Sequence, residues 1–319
     1  MVLIMSEHND NSTIYICQWL LYLGVPFVRI DKEDKCFIQE INLSNEEVEI
    51  IIEKDKEIIR LSKIKSFWYR RGELNLYTPS LKFITDEKLR AEINHHLYRE
   101  KSTLEHFFYH LLEKKPHIGT FDRRSVNKLK VLLEAANLGI AIPKTNILTN
   151  NKDINKKLKE PIITKSIYEG FRPDSIGGFI CYTEKIKLEE IPDEFYISLF
   201  QEGIEKEADI RSFYLDGKFY SMAIRSQSNE QTQTDFRKYV KNIGNRCFPF
   251  KLPDSLESSL KELMFQIGLN TGSIDLILTK EGQLIFLEVN PVGQFGMTSV
   301  PCNYYLEKEI ASKLISLMD

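Results

Sequence analysis

Gly272-Ser273-Ile274-Asp275-Leu276-Ile277-Leu278 and Leu284-Ile285-Phe286-Leu287-Glu288-Val289-Asn290-Pro291 are the two stretches from which the fold is read. Both are rich in β-branched and large apolar residues, the composition of buried strands. Glu281-Gly282 between them suits a two-residue hairpin loop. A hairpin centred there sets Asp275 opposite Glu288, and opposed residues of an antiparallel pair share a face. Asn290 joins that face because side chains repeat every second residue. Two carboxylates and an amide then converge from apolar strands, where unpaired charge is costly. A hard cation bound through oxygen removes the cost, and Mg2+ fits. The plainer alternative is two strand-end acids that are solvated or salt-bridged.

Working back from this hairpin, Asp209 to Leu215 and Lys218 to Arg225 flank Asp216-Gly217, another hairpin signal. Asp209-Ile210-Arg211 places an acid and a base on one strand face, where they can pair across the sheet. In regular register Arg225 falls on the face away from Asp209, and a bulged three-residue loop would reverse that. Spacing alone leaves Arg225 open. Pro161 to Lys165 reads as a strand ending in a lysine, followed by a loop bearing Gly170, Gly177 and Gly178. A cation there can meet phosphate oxygens. The chain has no GxxxxGK[ST] motif, and a lone strand-end lysine is more often solvated. Phe200-Gln201-Glu202-Gly203-Ile204 ends an apolar strand. It can offer backbone groups to a purine edge and Ile204 to its face, or be a simple strand-to-turn junction. Thr234-Asp235-Phe236-Arg237-Lys238 is polar, its basic residues facing phosphates or water.

Towards the N-terminus, Met1 to Met5, a helix from Asn11 to Leu23 stopped by Gly24 and Pro26, and Phe27 to Ile30 make a βαβ-like start. Val48 to Ile52 and Glu57 to Leu61 flank Lys54-Asp55-Lys56 as a second hairpin, with a helix as the alternative. Thr85 to Lys115 has strong helical periodicity. Trp68-Tyr69-Arg70-Arg71-Gly72 ends a strand in paired arginines, read as guanidinium forks tied to nearby carboxylates. Beyond Pro116, Ser125 can cap a helix to Asn137. Asp254 to Ile267 is an amphipathic helix with an Asp254…Glu257 capping pattern, and Asn303 to Met318 is a final helix.

The 319 residues are 42% hydrophobic and 28% charged with a net charge of -3, ordinary for a globular protein. Nothing there suggests binding to nucleic acid or to a membrane. No apolar run approaches the ~20 residues of a membrane helix. The first residues are too short an apolar run for a signal peptide and lack a basic n-region. Five scattered cysteines without a CxxC pair point to reduced thiols and a cytoplasmic setting. The six histidines form no zinc pattern.

The order of these pieces resembles the ATP-grasp superfamily over residues 116–319: lysine with glycine loop, hinge, Asp-x-Arg hairpin, arginine-bearing strand, then the Gly-x-Asp and Glu-x-Asn strands. Phe67-Trp68-Tyr69-Arg70-Arg71, Asn127-Lys128-Leu129 before Ile142-Pro143-Lys144-Thr145, and Asp209-Ile210-Arg211 narrow the resemblance. They are similar to the graspetide (microviridin-type) peptide maturases, and most to those of grasp-with-spasm systems, a likeness that includes the N-terminal region.

The resemblance implies an α/β chain with an ATP-grasp fold in three parts: a pre-ATP-grasp-like α/β domain with a long helix (1–115), a central subdomain (116–198) and a C-terminal subdomain with the metal site (199–319). Mostly antiparallel sheets would clamp ATP between the last two. Lys128 and Lys165 would contact nucleotide phosphates, and Gln201, Glu202 and Ile204 would form the adenine hinge. Asp275, Glu288 and Asn290 would hold Mg2+. Asp209 and Arg211 would lie at the nucleotide and acceptor-peptide site, and Arg225 and Arg237 near the transferred phosphate or peptide carboxylate. The glycine loop is sparer than in better-known ATP-grasp ligases. The implied reaction is ATP-dependent activation of Asp or Glu side chains in a ribosomal precursor peptide, closing ω-ester or ω-amide rings. The implied partner is that peptide, a leader followed by an acidic core with Ser, Thr or Lys, and the composition is compatible with a homodimer. The alternatives are a ligase that adds a free amino acid to a protein or small molecule, and a non-catalytic nucleotide-binding module.

Overall fold

A computed structural model describes residues 1–168, 184–225 and 246–319. Their contacts divide them into two units, Met1–Arg124 with Tyr305–Asp319, and Ser125–Tyr304.

The first unit is built on a parallel sheet. β1 (Val2–Ser6) is buried along its whole length, as a strand covered on both faces must be. It pairs in parallel with β2 (Phe27–Asp31) on one side and with β6 (Ser66–Tyr69) on the other; β7 (His117–Ile118) extends the sheet beyond β6. Between β1 and β2 runs α1 (Asn11–Tyr22), capped by Asp10, whose side chain accepts from the Thr13 amide at 3.0 Å. Gly24 ends that segment at φ +70°. β3 (Cys36–Leu43), β4 (Val48–Lys54) and β5 (Glu57–Arg60) form a separate antiparallel sheet. Asp55 and Lys56 both take positive φ in its second turn, so this segment is a hairpin and not a helix. The long α2 spans Glu87–Glu113, with Asp86 as its cap. The C-terminal helix Leu306–Ser316 returns to this unit, where Ser66 Oγ donates to the Leu314 carbonyl at 2.8 Å.

The paired arginines do meet carboxylates. Arg70 Nε donates to Asp10 Oδ2 at 3.1 Å with both side chains only 4% exposed, and Arg71 Nη1 lies 3.1 Å from Glu7 Oε1. Burial pulls the Arg70 guanidinium down to about 10, and Asp10 opposes that fall. Arg71 sits at φ +65°, and Gly72 then passes close to the Met5 and Ser6 backbone at the end of β1.

The second unit contains two antiparallel sheets. β8 (Thr145–Asn150), β9 (Ile162–Lys165), β10 (Glu184–Ile186) and β11 (Glu194–Glu202) are ordered β10-β9-β11-β8. β12 (Lys206–Leu215), β13 (Lys218–Arg225), β14 (Arg246–Phe250), β15 (Thr271–Thr279) and β16 (Leu284–Asn290) are ordered β14-β13-β12-β15-β16. One face of this larger sheet packs on α3 (Lys128–Asn137) and α5 (Asp254–Gln266). Ile210, Ile274, Leu276, Phe286 and Val289 meet Val131, Leu260 and Leu263 there, all buried. The short α4 (Asn151–Lys157) packs against the smaller sheet through Ile154.

Three helix ends differ from the sequence reading. Asn127, not Ser125, caps α3, its side chain accepting from Leu129 and Lys130. Asp254 is the first residue of α5 and makes no cap; Asp254 and Glu257 instead pair with Lys251. The final helix starts at Leu306 and not at Asn303, because Asn303 and Tyr305 take left-handed backbone; a separate short helix, α6 (Gly296–Cys302), precedes it. No helix among the described residues is long and apolar enough to cross a membrane.

A Cβ added to Gly72 would fall 2.4 Å from the Met5 carbonyl carbon and 2.5 Å from the Ser6 amide nitrogen. Gly72→Ala is therefore expected to destabilise the protein by about 1–3 kcal/mol, the usual range for overpacking, read as a lowered urea midpoint.

Candidate active site

The β15–β16 hairpin reaches the expected pairing by an unexpected route. Its turn holds three residues, Lys280-Glu281-Gly282. The Thr279 amide donates to the Gln283 carbonyl at 2.9 Å, the Gly282 amide to the Thr279 carbonyl at 3.1 Å, and Gly282 takes φ +83°. That turn offsets the register by one residue from a two-residue loop, giving Leu278 opposite Leu284 and Leu276 opposite Phe286. A bulge at Leu287 takes the offset back, so Asp275 lies opposite Glu288 and Ser273 opposite Asn290. Phe286 explains the choice. In the unbulged register it would lie opposite Ile277 and leave the core; here it is fully buried beside Leu276, and its amide donates to the Ala141 carbonyl.

The three side chains meet. Asn290 Nδ2 donates to Asp275 Oδ2 at 3.2 Å and lies 3.5 Å from Glu288 Oε1. Cations surround them. Arg211, opposite Asp275 on β12, places Nη1 3.2 Å from Asp275 Oδ1. Lys128, first residue of α3, and Lys165, last residue of β9, bring Nζ to 3.4 and 3.8 Å from Glu288 Oε2. Elements far apart in sequence thus supply three positive charges to one pair of carboxylates. All five charged side chains are at least three-quarters buried, which strengthens their interactions.

These donors fit Mg2+ better than a structural metal. Among the described residues no three His, Cys, Asp or Glu cluster as a metal set. Two carboxylates and an amide leave most coordination positions to water and phosphate, the usual habit of Mg2+. The amide's oxygen and nitrogen ends have nearly the same shape, so its acceptor can replace its donor beside a cation.

The other expected residues fall in several places. Gln201 is fully buried at the end of β11, and its Nε2 donates to Thr145 Oγ1 at 2.8 Å. Its Oε1 is buried with no hydrogen-bond partner among the described residues, an acceptor open to a ligand donor. Glu202 Oε1 takes Lys144 Nζ at 3.4 Å and the Lys159 amide at 3.3 Å. Ile204 lies half-buried just beyond the strand. Asp209 is buried on β12, where both its oxygens accept from Lys206 Nζ. Arg225 stands apart. Asp209 lies opposite Ile224, and Arg225, one residue further on, is half-exposed with its Nη2 2.7 Å from Glu207 Oε1. Arg237 and the loop around Gly170, Gly177 and Gly178 lie outside the described residues.

The sequence reading gives Lys206, Lys144 and Thr145 no role at the site. Lys206 and Asp209 are three apart on a strand, a spacing that puts them on opposite faces unless a bulge intervenes. Lys144 and Thr145 stand in the Ile142-Pro143-Lys144-Thr145 stretch that carries the resemblance, but that stretch assigned neither of them a role.

Comparison with known proteins follows the same lines. Residues 1–125 match the family model described as the MvdD pre-ATP grasp domain. The macrocyclase MdnC from Microcystis aeruginosa, solved with precursor peptide MdnA, is similar over 99% of both chains at 25% identity and a TM-score of 0.75. A RiPP-associated ATP-grasp ligase from Chryseobacterium gregarium, solved with ADP and a leader and core peptide, is similar over 99% of this chain and 96% of its own. Its identity is 22% and its TM-score 0.81. The ATP-grasp ligase PsnB, solved with a minimal precursor, Mg and ADP, covers 99% and 98% at 16% identity and a TM-score of 0.70. No curated protein sequence matches the chain.

Because Phe286 holds the bulged register, Phe286→Ala is expected to cost about 3–5 kcal/mol, as large-to-small changes in a core do. Urea denaturation followed by far-UV circular dichroism would measure it.

Proposed function

We propose that this chain, an α/β protein with the ATP-grasp fold, is an ATP- and Mg2+-dependent carboxylate ligase that closes rings in a ribosomally made precursor peptide. One observation carries the reading: Asp275, Glu288 and Asn290 meet on one sheet face within reach of Arg211, Lys128 and Lys165. An oxygen donor set bordered by three cations suits a metal-bound triphosphate, whereas a scaffold has no need of it. The unpaired Gln201 Oε1 is an acceptor for a purine amine, next to Glu202 and Ile204 in the proposed hinge.

In the reaction a side-chain carboxylate of the peptide attacks the γ-phosphate of ATP and becomes an acyl phosphate. A hydroxyl or amine of the same peptide then attacks the acyl carbon, phosphate leaves, and an ω-ester or ω-amide ring closes. Asp275, Glu288 and Asn290 would hold Mg2+, which would supply positive charge to offset that of the phosphates. Lys128 and Lys165 hold the phosphates, and Arg211 faces the developing negative charge. Asp209 and Arg211 orient the acceptor peptide, with Arg225 and Arg237 assigned to the phosphate or peptide carboxylate. Holding both reacting groups of one peptide together provides effective molarity. No enzyme nucleophile is required, and the four described cysteines, Cys17, Cys36, Cys247 and Cys302, are free thiols, in keeping with a cytoplasmic setting. The division at 1–115, 116–198 and 199–319 is part of this reading. The partner peptide carries a leader and an acidic core with Ser, Thr or Lys, and a homodimer remains compatible.

Asp275→Ala and Glu288→Ala should each abolish peptide-dependent ADP release while the far-UV spectrum is unchanged; full turnover in either variant rejects the assignment. Co-expression with a small acidic, Ser/Thr-rich peptide encoded beside this gene should give a product lighter by one water per ring. A gain of one amino-acid residue would instead favour a ligase that adds free amino acids.

A further inference from the structure

Lys206 belongs to none of the residues assigned above, yet it is buried and charged. Residues three apart on a regular strand point to opposite faces. On β12, Ala208 pairs with Leu278 but Lys206 pairs with Thr279, so Glu207 is the extra residue of a bulge. The bulge carries Lys206 onto the face of Asp209. Nζ then donates to both carboxylate oxygens, at 2.8 and 2.7 Å. Glu207 turns to Arg225 at the surface.

Arg211 is the next charged residue on that face, two positions beyond Asp209. Its Nη1 holds Asp275, while its Nε is buried and has no hydrogen-bond partner among the described residues. A buried guanidinium N–H without an acceptor is costly, and the geometry points to one arriving with the substrate. Without Lys206, Asp209 would lose the ammonium from which both its oxygens accept, and Arg211 is the next charged side chain on that face of the strand.

We propose that Lys206 is a positioning residue. By chelating Asp209 it keeps that carboxylate off Arg211, so the Nε–H of Arg211 stays available to an anionic oxygen of a carboxylate or phosphoryl group. This rests on the ligase reading for the identity of the anion, but not for the arrangement of the three side chains.

The test is nuclear magnetic resonance of the arginine Nε–H groups in the full chain, with the Arg211 signal assigned by its loss in Arg211→Lys. In the ligand-free protein, Lys206→Met should displace the Arg211 signal as Asp209 takes the N–H. Lys206→Arg should leave it in place, and Lys206→Met combined with Asp209→Asn should return it. With Mg·ADP present, inorganic phosphate should shift the signal. Its apparent affinity should fall about tenfold in Lys206→Met, the worth of one charge-assisted hydrogen bond. An unmoved signal in Lys206→Met, or a signal still displaced in the double variant, overturns the proposal. Should Lys206→Met not fold, the double variant and Lys206→Arg decide it, since both must keep the native signal. Failure to bind Mg·ADP would instead strike the ligase reading and leave the ligand-free comparison standing.

Discussion

Asp275 and Glu288 set two negative charges directly across a strand pair whose opposite face is the hydrophobic core. Like charges so placed repel, and partial burial raises the cost. The second unit answers by drawing in side chains from three other elements: Lys128 from a helix start, Lys165 from the smaller sheet, and Arg211 from the neighbouring strand. Asn290 bridges the carboxylates with a single amide. An arrangement that needs cations for its own stability is also one that a metal-bound polyanion can enter, exchanging one set of charge pairs for another.

The same logic extends along β12. Lys206 with Asp209, then Arg211 with Asp275, form successive pairs of opposite charge on one face. Removing one partner of a buried pair costs more than the pair itself contributes. These charges therefore specify positions more than they add stability. The apolar residues of the other face, Ile210, Ile274 and Leu276 among them, supply the burial that holds the strands flat against α3 and α5.

Much of this was legible in the sequence because strand alternation and turn residues act locally. Asp216-Gly217 fixed its hairpin, and Asp216 and Gly217 both take the positive φ such a loop demands. The meeting of Asp275 with Glu288 was read correctly for an incomplete reason. A two-residue loop was expected, whereas the chain uses a three-residue turn and a bulge at Leu287, and the two offsets cancel. Bulges are set by which side chain the core accepts, here Phe286, and no local motif announces them. The bulge at Glu207 hid Lys206 in the same way. The helix starts differ where two capping candidates stand close together, as with Ser125 and Asn127, or where left-handed backbone at Asn303 and Tyr305 delays the helix to Leu306.

The helix Leu306–Ser316 closes the first unit by packing beside β6, although most of that unit precedes Ser125 in the chain. Synthesis on the ribosome runs from the N-terminus, and units tend to fold as they emerge. The first unit must therefore wait, incomplete, while the whole of the second is translated. The later-made half is the first to have its whole chain in hand, and the earlier half, its strands long since made, is finished only when its last helix leaves the exit tunnel.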